Sequence, residues 1–370
     1  MRFSSIPGHA SIKERLIDMA NASRVGHALL FWSDEGVGAL PLALALAQQM
    51  ACTAKEEGVA CGKCAACNKM QKLIHPDLHF AVPVNSVKPS DRYPVTDFYA
   101  DIWRKALLDN PYMSEHQWYE QLGIDNKSGN ISVHEADAIL KKLSFKAFEG
   151  EQKFMVIWLP ERMNLQAANT LLKILEEPSH GTHFFLVSEH PEMLLPTIRS
   201  RCQMIRVNPI PKEEMAPFLA KELFISLEEA QKLARLSGGS LGKARSFTAS
   251  SEQQEEVKRF ACDLMGFCVE KNLLAAIQWC EEAAGLGREG QRQLVLYILE
   301  LLRNIYVECI GAHSLRKDAI NRVSTWASAM PVAFFPDAAD ALNGALADID
   351  RNVHAKMTFY TMATRLYFAC

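Results

Sequence analysis

The sequence contains no uninterrupted apolar run of the ~18 residues that a bilayer-crossing helix needs. Its formal net charge is only -3 at pH 7, which excludes bulk attraction to nucleic acid, so any such contact must come from local patches. The opening stretch MRFSSIPGHASIKERL lacks the apolar core of a secretory signal. These absences lead to the expectation of a cytoplasmic protein with no membrane partner. A disulfide framework is missing as well. Of the ten cysteines, four crowd into residues 52–67, while Cys202, Cys262, Cys268, Cys280, Cys309 and Cys370 are dispersed, mostly in apolar helical stretches. That split points to reduced thiols plus one local site.

A further lack sits in FWSDEGVGALPLALALAQQM, residues 31–50. A phosphate-binding loop reads G-x-x-x-x-G-K-[ST] between a strand and a helix, and this stretch has that setting. Gly36 and Gly38 stand where backbone would wrap a phosphate. Yet Ser33 replaces the first glycine, Ala39 the lysine and Leu40 the Mg²⁺-binding hydroxyl. Asp34 and Glu35 add negative charge beside the same place. ATP is therefore not expected to bind tightly.

What is present is an ordinary globular composition. With 370 residues, 49% hydrophobic and 22% charged, the chain has room for two or three domains with sizeable cores. HALLF, DLHFAVPV, KFMVIWL, HFFLVS and QMIRV read as strands, separated by helical stretches such as SIKERLIDMANAS and NLQAANTLLKILEE. Continuous apolar strands between helices predict a parallel sheet covered on both faces. In SVHEADAILKKLSFK, Ser132 and Glu135 have the spacing of a capping box. Residues 86–130, rich in turn formers and aromatics, read as an insertion with one or two short helices. NPIPKEE, near 208–214, reads as a linker, and everything beyond it is helical. Trp32 and Trp158 adjoin core strands and are expected to pack.

The cysteine cluster has the spacing Cys52-x8-Cys61-x2-Cys64-x2-Cys67, with Gly58 and Gly62 easing the turns. Four soft ligands so close together suit a structural Zn²⁺ with no open coordination position. An iron–sulfur cluster and four free thiols are the alternative readings. His75 and His79 are nearby spare ligands, expected to be ordinary loop or strand residues.

The order of these pieces resembles the bacterial clamp-loader subunits of the AAA+ class, part of the DNA polymerase III holoenzyme. GHALLF, LLKILEEP and LLPTIRSRC carry the resemblance, which is strongest over 1–85 and 131–250. It implies an α/β AAA+ nucleotide-binding-like domain over 1–208, holding the degenerate loop, a zinc module at 52–67 and the insertion at 86–130. A helical lid over 209–260 and an all-helical collar, an oligomerisation domain, over 261–370 would follow. Active members place an acidic pair after the second core strand, where this chain has Leu159 and Pro160, with Glu161 out of register. The resemblance gives Arg201 of Ser200-Arg201-Cys202 the role of a trans arginine finger reaching a neighbouring subunit's ATP, with Arg199 the weaker candidate. It also implies a subunit without its own ATPase activity. Its partners would be the gamma/tau ATPase subunit, the delta subunit, the sliding clamp, and primed DNA within the assembly. Ser188 falls at the family's γ-phosphate sensor, and Lys243 and Arg245 near its second sensor; a strand-end hydrogen bond and a solvated helix face are the expectations here. Lys141, Lys142 and Lys146 could face a duplex, with solvation the simpler expectation. Two other readings remain: an active gamma/tau-type ATPase, and a zinc-dependent DNA-binding module.

Overall fold

Runs of aliphatic and aromatic residues form the strands β1 (Ala28–Trp32), β2 (Leu78–Ala81), β3 (Lys153–Trp158), β4 (Thr182–Ser188) and β5 (Gln203–Arg206). In this computed structural model, which describes residues 1–86, 93–124, 128–247, 251–310, 323–351 and 353–370, they make one parallel sheet in the order β2-β3-β4-β1-β5. Residues 87–92 and 125–127 of the expected insertion, 248–250 of the expected lid and 311–322 and 352 of the expected collar lie outside the described residues.

Because side chains alternate across a strand, the sheet serves two cores at once. Leu29, Phe31, Phe154, Val156, Phe185 and Val187 face one; Ala28, Leu30, Met155, Ile157, Phe184 and Leu186 face the other. The helices Val133–Ser144 and Leu165–Glu176 cover the second face with Ile139, Leu143, Leu171 and Leu175. Ala10–Asn21 and Ala39–Ala51 cover the first, the latter buried almost all round.

The expected insertion takes part in that first core. Thr96–Tyr99 runs as a short 3₁₀ turn into the helix Ala100–Asp109, and Glu115–Leu122 follows with a complete capping box at Ser114 and Gln117. Trp103 sits edge-on to Trp118 at 5.1 Å and tilted against Trp158 of β3 at 5.2 Å. The Trp118 indole N–H donates to the Pro83 carbonyl at 2.7 Å. The capping box expected at residue 132 is only half made. Ser132 does cap the helix, but Glu135 turns away and accepts the Thr96 amide at 2.5 Å. Burial raises the pKa of its carboxyl, against the Thr96 hydrogen bond.

The chain divides into two compact units, Met1–Phe247 and Thr248–Cys370. Besides the sheet, the first holds the helices Lys212–Leu223, Leu227–Leu236 and Leu241–Ser246, which close a small core around Met215, Leu219, Ala230 and Leu241. The second is helical wherever it is described as regular structure, with Leu264, Trp279, Leu294, Ile298, Phe334, Leu342 and Phe359 at its centre. Its helix Ser251–Val269 runs through the 260/261 border drawn from the sequence. All ten cysteines are free thiols. Burial pushes Cys268 and Cys280 up to about 12, so both are protonated packing residues. No described helix is long and apolar enough to cross a membrane.

Trp118 is fully buried and joins the inserted helices to the sheet. Trp118→Ala should cost about 3–5 kcal/mol in urea unfolding, a loss of core size rather than of a surface decoration.

Candidate functional site

The degenerate loop lies between β1 and the helix Ala39–Ala51, the strand–loop–helix setting that its sequence predicts. Gly36 and Gly38 take φ of 70° and 128°, conformations that favour glycine. Ala39 and Leu40 are both buried at the start of the helix. The space beneath is almost filled. The remaining cavity is ≈ 20 Å³, lined by Ser33, Asp34, Gly36, Gly38, Leu40 and Glu189, and closed by Pro111, Tyr112 and Met113 of the inserted segment. That is room for about one water molecule.

The loop's glycines serve close approach by protein. A Cβ on Gly36 would lie 2.7 Å from Ser240 Oγ, and one on Gly242 would lie 2.3 Å from the Tyr112 carbonyl oxygen. The loop carbonyls are engaged too: Ser240 Oγ donates to Glu35 O at 2.7 Å and the Gly242 amide to Gly36 O at 3.0 Å. On another side the His9 ring lies 3.1 Å from Val37 O.

At the acidic-pair position the structure puts apolar groups. Leu159, at φ 52°, and Pro160 are buried in a tight turn after β3. Glu161 holds the segment after β4, accepting the Glu189 amide at 2.8 Å and the His190 amide at 3.1 Å. Ser188 Oγ is fully buried with no hydrogen-bond partner among the described residues. Glu189, facing the cavity, has its pKa raised well above the usual carboxylate range. Burial is the main cause, followed by repulsion from Glu35, Glu161 and Glu115, with Lys243 opposing. A triphosphate would meet acidic side chains here, with no lysine from the loop.

Arg201 lies after the short helix Pro196–Arg199, its side chain about one-third exposed at 34%. It pairs with Glu176 at the end of Leu165–Glu176 and donates through Nη1 to Thr197 O at 2.9 Å. Its guanidinium is thus at the surface and held outward of the core. Arg199, two residues back, is half-buried, and its Nε has no partner among the described residues. Lys142 pairs with Asp97 at 2.6 Å. Arg245 departs from the solvated face expected of it. It grips Glu222 through Nη2 at 2.5 Å and Nε at 3.3 Å, donates to Asn110 Oδ1 at 3.1 Å and lies 5.0 Å over the Tyr112 ring.

The four cysteines converge. The sulfurs of Cys52, Cys61, Cys64 and Cys67 all lie within 4.8 Å of one another, and those of Cys52 and Cys61 are 3.8 Å apart. Tetrahedral coordination at a Zn–S bond of about 2.3 Å requires S···S edges of about 3.8 Å, so the group fits one such ion. Backbone amides already serve the sulfurs: Cys61 N to Cys52 Sγ at 3.4 Å, Cys64 N to Cys61 Sγ at 3.3 Å and Cys67 N to Cys64 Sγ at 3.4 Å. Burial opposes ionisation of Cys64, but hydrogen bonds from Cys67 and Thr53 outweigh it and lower the thiol to about 6. Burial pushes Cys67 up to about 12. Asn21 and Gln49 both donate to Gly58 O at 2.7 Å, anchoring the loop to the sheet-covering helices. His75 instead accepts the Asp77 amide at 3.2 Å, and His79 lies in β2.

Spacing made the cysteines legible in advance. Asn110, Pro111, Tyr112 and Met113 were not, since NPYM by itself signals only a turn.

Residues 8–211 match the family described as "DNA polymerase III, delta subunit". The chain is 29% identical over 301 residues to DNA polymerase III subunit delta' of Escherichia coli (strain K12), covering 81% of this chain and 75% of that one. It is 32% identical over 219 residues to the delta' subunit of Pseudomonas aeruginosa, covering 58% of this chain and 53% of the relative. Among solved structures, a gamma subunit-related protein of Thermotoga maritima aligns over 96% of this chain and 98% of its own, at 16% identity and a TM-score of 0.38.

Two expected outcomes follow from the filled pocket. The Tyr112 hydroxyl is buried without a partner among the described residues, and burial raises its pKa. Tyr112→Phe should therefore match or exceed the parent by about 1 kcal/mol, whereas Tyr112→Ala should lose about 3–5 kcal/mol in denaturant unfolding. Glu189 has a folded pKa above its unfolded value of 4.5, so its ionisation costs stability at higher pH. Glu189→Gln should be more stable than the parent at neutral pH and above. That advantage should shrink as the pH falls from the raised folded value toward 4.5 and be gone below it, as seen in Tm measured against pH.

Proposed function

The chain belongs to the DNA polymerase III delta-subunit family, among its delta-prime members, and from that premise we propose that it is a non-catalytic clamp-loader subunit lending Arg201 to a neighbour's ATP. The observation that carries this reading is the nearly filled space beneath the loop, ≈ 20 Å³ and walled by the chain's own Tyr112 and Met113. A subunit built this way has no place for a triphosphate, yet it keeps a surface guanidinium after β4. Partners proposed for it are the gamma/tau-type ATPase subunit, the delta subunit, the sliding clamp and primed DNA held in the assembly. Residues 1–208 form the nucleotide-binding-like domain, 209–260 the lid and 261–370 the collar in this reading. The cytoplasm is its proposed location.

Magnitudes favour Arg201 leaving its resting place. The pair with Glu176 is partly exposed and of the class that contributes about 0–1 kcal/mol. A finger's contact with transferring phosphate contributes 10³–10⁵ in rate, roughly 4–7 kcal/mol. The planar, permanently charged guanidinium suits that contact because it grips two oxygens at once. We assign Zn²⁺ to Cys52, Cys61, Cys64 and Cys67, where it would close the loop structurally. Its four sulfur ligands leave no open coordination position, so it takes no part in ATP chemistry.

Reconstituting the loader with Arg201→Ala should lower clamp- and DNA-stimulated ATP turnover well beyond about tenfold while the complex still assembles. Unchanged turnover would falsify the finger assignment. Elemental analysis of the purified chain should find about one zinc per molecule, and Cys67→Ser should lose it and unfold at lower temperature. A chain that is fully stable without metal removes the zinc assignment.

A further inference from the structure

We propose that residues 110–113, Asn-Pro-Tyr-Met, are a built-in occupant of the phosphate pocket, and that Arg245 is the latch holding the three-helix unit 212–246 to the sheet through them. In a nucleotide-binding protein of this architecture, a small molecule would sit between the loop after β1 and the helices that follow the sheet. Here a peptide of the same chain takes that space.

Consecutive side chains of the segment go to different cores. Met113 is buried in the sheet core with Phe31 and Trp158, while Tyr112 is buried in the core of the three helices with Met215, Leu219 and Leu241. One short stretch therefore stitches two hydrophobic clusters, and neither residue can leave without opening its own. Gly242 permits the closeness, since any side chain there would strike the Tyr112 carbonyl.

Arg245 fixes this arrangement from the helical side. Its fork holds Glu222 of Lys212–Leu223, a third N–H reaches Asn110 Oδ1, and its plane lies over the Tyr112 ring. Asn110 passes the connection on. Its Oδ1 also accepts the Tyr112 amide at 3.2 Å, and its Nδ2 donates to Gln117 Oε1 at 3.3 Å in the next inserted helix. The half-buried guanidinium, 22% exposed, thus ties three elements: Lys212–Leu223, Leu241–Ser246 and the inserted segment. The seating of the three helices is set by covalently attached groups, independently of any nucleotide and of the role given to Arg201.

Hydrogen exchange on the full-length chain alone, without partners, tests this. Arg245→Met should speed exchange of the 212–246 amides about tenfold while leaving those of β1, β3 and β4 unchanged, because a charge-assisted tie is lost but the sheet is not. A chain with Pro111→Gly, Tyr112→Ser and Met113→Gly together should show a larger rise in the same helices; should it not fold, the Arg245→Met result decides alone. Unchanged exchange at 212–246 in Arg245→Met, or an equal rise across sheet and helices, overturns the latch. Either result leaves the Arg201 reading untouched, since no ATPase subunit is present.

Discussion

The three central strands of the sheet, β1, β3 and β4, are buried on both faces, so along them each face must find an apolar cover. That demand organises the first unit of this protein. On one face two helices, Val133–Ser144 and Leu165–Glu176, supply the cover. On the other, Ala10–Asn21 and Ala39–Ala51 are joined by the tryptophans of the inserted segment, Trp103 and Trp118. Once the insertion is committed to the sheet in this way, its connecting turn falls against the loop after β1. The same inserted segment that covers the sheet thus also lines the small cavity beneath residues 33–40.

The consequences for charge are consistent with that geometry. The acidic side chains of Asp34 and Glu189 line what is left of the cavity. Glu161, in the neighbourhood where an acidic pair would hold a metal ion, is engaged with two backbone amides and so supports the chain rather than a ligand. Arg201, near the end of this domain, is partly exposed and rests on an exposed glutamate. The space beneath residues 33–40 is taken up by packing, while the Arg201 side chain is partly exposed.

Much of this was legible in the sequence, and the part that was not has a common cause. HALLF, KFMVIWL and HFFLVS announce buried strands because burial on both faces selects uninterrupted apolar residues, a local signal. The cysteine spacing is legible for the same reason, since sulfurs three residues apart on a bent backbone meet locally. The missing lysine and hydroxyl at Ala39 and Leu40 also show directly. Glu135 misleads because its local partner, the amide of its own cap, loses to the Thr96 amide brought in by tertiary structure. Tyr112 is silent and Arg245 misleads toward a solvated face for a related reason: each acquires its meaning from a residue more than one hundred positions away. Sequence periodicity carries information about a segment's own faces and little about which distant segment will press upon them.

The cysteine loop carries a liability as well as a scaffold. Sulfurs 3.8 Å apart need to close to about 2.0 Å to become a covalent bridge, a short journey on a glycine-flanked turn. A bound cation and an oxidised pair would thus compete for the same two sulfurs, those of Cys52 and Cys61. A cation held by all four sulfurs would keep the Cys52 and Cys61 thiolates from pairing with each other.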